Sequence, residues 1–472
     1  MKKIIFPLLI LLTATLFSGG CKKYLDVNQN PNAAETPPLN GLLANVTYKT
    51  ADNVFYVSNY TSYYTQYLAS PNPAGPTDIY DLVDASKPWD SIYTIMTDLY
   101  DLKRFAAAKN LNAYVGVADI LLALHLNMAS NLWGNIPYSQ AFLGVQNLTP
   151  AFDDQKALYD TCLNLLDQGI AILQQPGLAG QMDVSSDFIH KASLAAWVKT
   201  AHVLKARMLN QVSKTASYDP AMIITELASG YIGNADDAQV TTYVADVNPN
   251  PWGEVAILNA GLDLDGWLSS YFVNATDGAT YGVFDPRLPH ITDTTKFGDY
   301  RGTPNGKGRI GTGTAHEECY LTEDGWYSTQ TSPLQIVTYA EASFLNAEAL
   351  FRRGNQPDAY AAYLAGIRAH LGKLGVADSA IQRYTTDPAV AVGAANITLP
   401  LIMKEKYIAC FLSPITWDDM RRMDYAYKNF SLPVNALLTT FIRRMNYPTD
   451  EVSRNGKNIP VVQLTDHLWW DQ

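Results

Sequence analysis

A recurring helical period constrains this chain more than any other feature. In Asp90 to Lys109 the apolar residues Ile92, Ile95, Met96, Leu99, Leu102 and Phe105 return at steps of three and four, so one face of a helix must be buried. Asn112 to Leu132, Gln155 to Leu173 and Ser193 to Val212 repeat the pattern. In the last of these, Leu194, Trp197, Val198, Ala201, Leu204 and Met208 make the stripe, while Lys199, Lys205 and Arg207 fall off it. The second half predicts helices over Ile336 to Arg353 and Asp358 to Leu374, each followed by a glycine, Gly354 and Gly375, suited to leaving a helix in the left-handed region. Two more are expected over Leu399 to Phe411 and, after Pro414, Thr416 to Tyr427. Helices of this length joined by short turns can only hide their stripes against one another. The expected fold is therefore mostly α, a degenerate tetratricopeptide-like helical superhelix without the strict repeat consensus.

Two stretches break the period. Between Tyr218 and Thr331 the chain is rich in Gly, Pro, Asn and Asp with single aromatics, and a shorter break runs from Ala69 to Lys87 with Pro71, Pro73, Gly75 and Pro76. Long irregular insertions in a compact protein usually carry function, so the ligand surface is placed on these loops, chiefly within about 218–331.

Residues 1–20 have the layout of an export signal: Lys2-Lys3, an apolar run from Ile4 to Phe17, then Ser18-Gly19-Gly20. Small residues before Cys21 and Lys22-Lys23 after it resemble a bacterial lipobox, with Ser18 where Leu is usual, which makes Cys21 the lipid-anchor candidate and 21–472 the mature domain. No apolar run reads as a membrane-spanning helix, so attachment is expected through the lipid. The remaining cysteines, Cys162, Cys319 and Cys410, are too scattered for a disulfide scaffold or a structural zinc site, and Cys162 and Cys410 read as packed thiols. A net charge of −11 opposes nucleic-acid binding, since phosphates demand a basic face. The 29 Tyr and 9 Trp are more than a core obviously needs, and amphipathic rings suit polar ligands that have apolar faces.

Several passages, taken in order, resemble the SusD/RagB family in its SusD-like branch. They are Tyr24-Leu25-Asp26-Val27-Asn28 with Asn30-Pro31-Asn32; Trp133-Gly134-Asn135-Ile136-Pro137-Tyr138-Ser139; and Asp285-Pro286-Arg287-Leu288. Tyr339-Ala340-Glu341 with Ala347-Glu348-Ala349, and Tyr363 to Ile367 with Leu374-Gly375-Val376, are similar to the family's two central helices. Trp417-Asp418-Asp419-Met420-Arg421-Arg422, Asn446-Tyr447-Pro448-Thr449-Asp450-Glu451 and Trp469-Trp470-Asp471 close the series. The resemblance implies a mostly helical fold with four tetratricopeptide-like pairs and a lipid anchor in the outer membrane, exposed at the cell surface. It also implies a partner, a SusC-like TonB-dependent transporter for which the protein acts as capture subunit or lid. Glycans are the best-known ligands of such proteins.

Other motifs lead elsewhere only weakly. Gly306-Lys307-Gly308-Arg309-Ile310-Gly311 satisfies G-x-G-x-x-G, but it follows a loop and opens no helix, so it cannot aim backbone N–H groups at a dinucleotide. His316-Glu317-Glu318 lacks the second histidine of a zinc helix and reads as solvated loop; Asp263 and Asp265 lack the other ligands of a calcium loop. Asp418 and Asp419, three residues from Arg421 and Arg422, read as a charge network on a helix surface. No nucleophile elbow or cysteine-nucleophile signature is present, and neither cofactor nor metal is expected. The ligand-binding candidates are Tyr80 in the first loop and Trp252, Trp267, Tyr281, Tyr300, Trp326 and Tyr327 in the second, because sugar rings pack their C–H faces on aromatic planes. Trp89, Trp133 and Trp417 read as structural. The expectation is a non-catalytic binding lipoprotein that captures an oligomeric nutrient, a glycan before other classes. The alternatives are a transporter lid with a peptide ligand or none, and a secreted glycosidase.

Overall fold

A computed structural model describes residues 37–260, 266–312 and 316–472. The export signal, Cys21 and the pair Asp263 and Asp265 lie outside the described residues. Among the described residues the helices are α1 (Leu39–Tyr64), α2 (Ser86–Ala107), α3 (Asn112–Trp133), α4 (Gln155–Leu173), α5 (Leu194–Gln211), α6 (Pro220–Ala228), α7 (Pro251–Ala260), α8 (Ser270–Thr276), α9 (Tyr339–Arg352), α10 (Gln356–Lys373), α11 (Asp378–Thr386), α12 (Leu399–Ala409), α13 (Ile415–Arg422) and α14 (Thr449–Asn455). Four two- to four-residue strands join them: β1 (Leu68–Ala69), β2 (Ala238–Val240), β3 (Trp267–Leu268) and β4 (Leu334–Val337). The mostly α, tetratricopeptide-like architecture expected from the periodicity is what the chain forms.

Consecutive helices pack as neighbours, α1 on α2, α3 on α4, α5 on α6 and α9 on α10, and α2 against α3 and α6 against α9 link these pairs. Side chains satisfy the free N–H groups at several helix starts: Asp154 accepts from Lys156 N and Ala157 N before α4, and Thr338 accepts from Glu341 N at 3.1 Å before α9. Gly354 and Gly375, at φ +78° and +74°, end α9 and α10 where the sequence places them. The tightest crossing is α3 on α4, where a Cβ on Gly116 would meet Leu173 Cγ at 2.6 Å and one on Gly169 would meet Ile120 Cγ1 at 2.8 Å. The α3 helix is long and apolar enough to cross a membrane, contrary to the sequence reading, yet its most apolar window is wholly enclosed, which makes it the core helix.

Three differences from the sequence expectation have physical causes. The first helix, α1, shows no apolar stripe because its inward face carries Thr47, Thr50, Asp52, Asn53, Ser58, Thr61 and Ser62, all buried. Ile336 and Val337 belong to β4 and not to α9, as β-branched residues favour the pleated surface. The charge network of Asp418, Asp419, Arg421 and Arg422 is in the core and not on a surface. Arg422 pairs with Glu348 and, at 2.8 Å, with Asp419, while Lys406 reaches Asp419 at 2.8 Å. Arg421 pairs with Asp418, donates to Asn131 O at 2.7 Å and lies over the Trp417 and Trp470 rings. Burial alone would raise the Glu348 carboxyl, but Arg422 and Arg352 outweigh it and hold it far below the ordinary range.

The three described cysteines are free and buried, and burial pushes the thiols up, that of Cys319 to about 11. They are packed apolar groups. Trp89, Trp133 and Trp417 are core residues, as expected.

Candidate functional site

Loop aromatics in this fold have two fates. Tyr80, Trp252, Trp267 and Tyr327 are 1%, 4%, 0% and 6% exposed, so they have almost no free face for a ligand. Tyr80 meets Tyr64, Trp252 meets Phe55 edge-on at 4.8 Å, Trp267 in β3 meets Tyr320, and the Tyr327 hydroxyl bonds His370 Nε2 at 2.8 Å. The reason is general: irregular segments lying across helices need large apolar anchors as much as helices do. Tyr281, Tyr300 and Trp326 stay partly open. Tyr300 meets the exposed Phe284 at 5.9 Å, whereas Trp326 packs edge-on against Tyr327 at 4.8 Å. Among the described residues no ring contact unites Tyr281, Tyr300 and Trp326 into one arc.

The loop bearing Tyr281 is built on a rigid base. It leaves α8, whose first turn is capped by Ser269 accepting from Tyr271 N at 3.1 Å. It closes on itself through Thr280 N to Asn274 O at 2.9 Å, Gly282 N to Gly278 O at 2.8 Å and Asp285 N to Thr276 O at 2.8 Å. Beneath it the Asp285-Pro286-Arg287-Leu288 motif enters the core. Arg287, fully buried, donates Nε–H to Asp285 Oδ1 at 2.8 Å, pairs with Glu405 and reaches the Tyr384 hydroxyl at 3.3 Å. Lys404 joins at 2.7 Å from the Tyr384 hydroxyl and 2.5 Å from Glu405. Burial would raise both carboxyls, but for Asp285 the Arg287 charge, and for Glu405 the Lys404 and Arg287 charges, hold them below their ordinary values. Every charge in this base is compensated inside the protein, so its acids are ionised and closed to water.

Beside the base lie two surface depressions, one with Tyr271 in its wall and the other with Tyr281. One, of about 170 Å³, is polar, with Gln66, Asn274, Thr280, Asn429 and Ser431 in its wall. The other, of about 400 Å³, is apolar, walled by Leu399, Leu401, Met403, Met423, Tyr427 and Tyr281. Lys404 and Lys428 lie 5.1 and 5.3 Å from the Tyr281 ring centre. Burial, and next the Glu405 charge, push the Tyr281 phenol up to about 12, so it is protonated and able to donate.

Sequence reading did not single out Asn274, Lys428 and Asn429, which line these depressions. It assigned the 423–427 stretch to a helix, whereas α13 stops at Arg422 and the chain continues as a loop in which Asp424, Tyr425 and Asn429 have positive φ. The available signal was the Asn429 to Asn435 run with Pro433, a turn-rich stretch of the kind that bears ligand contacts. Gly306 and Gly308, at φ +77° and +80°, lie in a loop as expected, and a Cβ on Gly306 would strike Val434 O at 1.8 Å. Gly306 lets the 304–309 loop cross the 432–435 segment beside the polar depression, and Gly308 lets it pass close to the backbone of Asn72 and Pro73. His316-Glu317-Glu318 is less solvated than expected, with Glu317 held by Lys296 and by Thr312. The Lys296 and Thr312 bonds lower the Glu317 carboxyl to about 2. No cluster of potential metal ligands occurs among the described residues.

A tetratricopeptide-like helical body with a loop-built surface site of mixed polar and apolar character is the class these features define. The family model described as "Starch-binding associating with outer membrane", SusD-like, matches residues 31–448. The chain belongs to this SusD-like family of SusD/RagB proteins. No curated relative matches it by sequence. Among solved structures, a chitin-binding SusD homologue from Flavobacterium johnsoniae is similar at 22% identity and TM-score 0.75, covering 91% of this chain and 98% of its own. A SusD homologue from Parabacteroides distasonis shares 22% identity at TM-score 0.74, with 92% and 98% covered. A SusD/RagB family protein from Bacteroides thetaiotaomicron shares 20% at TM-score 0.74, with 92% and 99% covered.

Proposed function

We propose that this protein is a non-catalytic, lipid-anchored receptor of the outer-membrane surface that captures a glycan around Tyr281, Asn274 and Asn429 and passes it to a SusC-like TonB-dependent transporter. The observation that carries the reading is the placement of two exposed amides, Asn274 and Asn429, in the wall of the polar depression, where their neighbour Thr280 is followed in the chain by the partly open, protonated Tyr281 of the apolar depression. A sugar can pack its C–H face on such a ring while its hydroxyls bond the amides. The family description and the chitin-binding relative support a saccharide as the ligand. A binding role without turnover is supported by the fate of the acids in the base of the loop, since Asp285 and Glu405 are buried and paired with Arg287 and Lys404. Tyr300 and Trp326 are further contacts for longer oligomers. The anchor at Cys21 and the transporter partner rest on the lipobox and on family membership.

Isothermal titration against a panel of chitin, starch and plant cell-wall oligosaccharides tests the reading. Asn274→Ala and Tyr281→Ala should each weaken the glycan that binds by about tenfold, the equivalent of about 1.4 kcal/mol, with the circular dichroism unchanged. Release of shorter sugars by the purified protein, or binding indifferent to both variants, would overturn it. In cells, Cys21→Ala should shift the protein from the membrane fraction to the soluble one.

A further inference from the structure

We infer that the glycan taken by this site carries an aromatic acyl substituent, and that the apolar depression is the seat of that group. The inference rests on the glycan reading above and deepens it. The two depressions share a rim of consecutive residues: Thr280 and Asn429 face the polar one, Tyr281 and Lys428 the apolar one. A ligand lying across the rim must therefore present hydroxyls on one side and an apolar body on the other. A bare oligosaccharide does not have that division, because its hydroxyls would be set against Leu399, Leu401 and the methionines without partners. An ester-linked aromatic group does. The depression, at about 400 Å³, is within the range of small-molecule sites.

Its lining favours a ring over an alkyl chain. Met423 brings a polarisable sulfur, which packs well against aromatic edges, and Tyr281 and Tyr427 bring aromatic faces. Lys428 is exposed at the mouth, where its ammonium can donate to a phenolic or methoxy oxygen or lie over the ring. Lys404, by contrast, is taken up by Glu405 and Tyr384. A hydroxycinnamoyl ester combines a flat ring, oxygen substituents at its far end and an ester link to a sugar, and so fits each element of the site.

The test uses the mature protein, with methyl ferulate, methyl octanoate, a feruloylated arabinoxylo-oligosaccharide and the same oligosaccharide after saponification. Saturation-transfer NMR should detect methyl ferulate on the wild type and not on Leu401→Glu, a change that places a carboxylate in the first turn of α12, where a helix accepts it. The feruloylated oligosaccharide should bind at least tenfold tighter than the saponified one. Leu401→Glu should abolish that ratio, while Asn274→Ala weakens both ligands. Equal affinity for the two oligosaccharides, a ratio that survives Leu401→Glu, or octanoate bound as well as ferulate would each overturn the inference. If a glycan binds and the ester adds nothing, the inference fails alone. If ferulate binds and no glycan does, it is the glycan reading that fails.

Discussion

Removing Arg287 isolates the contribution of the buried base to the site above it. Arg287→Met keeps an apolar stem of similar length but removes the guanidinium that links Asp285, Glu405 and Tyr384. The group of Asp285, Glu405, Arg287 and Lys404 is electrically balanced, and the variant leaves two buried carboxylates facing one ammonium. Breaking a buried pair in this way costs about 3–5 kcal/mol, a large part of the roughly 5–15 kcal/mol that holds a domain together. The pH dependence gives the argument a sign. In the wild type both carboxyls are held below their ordinary values, so their contribution is lost only as pH falls through those lowered values and is flat between pH 5 and 7.5. In the variant, desolvation acts with one cation fewer to oppose it, and the folded pKa values rise. The folded variant then takes up protons that the unfolded chain does not, and its stability rises as pH falls toward 5. Urea unfolding at pH 7.5, 6.5, 5.5 and 5.0 should give a wild-type-minus-variant gap of about 3–5 kcal/mol at pH 7.5 that narrows steadily toward pH 5. A gap below about 1 kcal/mol at pH 7.5, or one that does not change with pH, would refute the reasoning.

Trp267→Ala should lower stability by about 3–5 kcal/mol in denaturant melts, because the ring is fully buried and leaves a cavity, whereas Trp326→Ala, partly open, should lose far less. Gly306→Ala should destabilise by more than about 1 kcal/mol, since it combines a left-handed φ with a Cβ placed against Val434 O; Gly354→Ala, also at positive φ but with no neighbour within 4 Å, should be milder in the same melts. EDTA should leave the melting temperature unchanged, and a fall of many degrees in a thermal melt would reveal a structural ion.

The helical stripes of α2, α4 and α5, and the glycine ends of α9 and α10, could be read from the sequence because each depends on spacing within one segment, whereas α3, expected to bury one face, is buried on all of them. The family resemblance was legible for the same reason, as a series of short local motifs in order. The inward polar face of α1 was not, because a buried Thr or Asn has the pattern of an exposed one until its partner is known. The same limit applies to charge: Asp418 and Arg422 look like surface residues, and only the arrival of Asn131, Glu348 and Lys406 from other helices makes their burial tolerable. Composition and loop placement marked aromatic residues as candidate contacts, but whether a ring faces solvent or the core depends on which segment crosses it. Trp267 pairs in β3 with a strand some 200 residues earlier, while Tyr281 is held outward on a loop closed over Arg287. The site itself joins the 270–281 segment to the 428–434 segment, and no property of either stretch alone specifies that meeting. Side-chain type and spacing act locally, whereas exposure, desolvation and adjacency are properties of the packed chain.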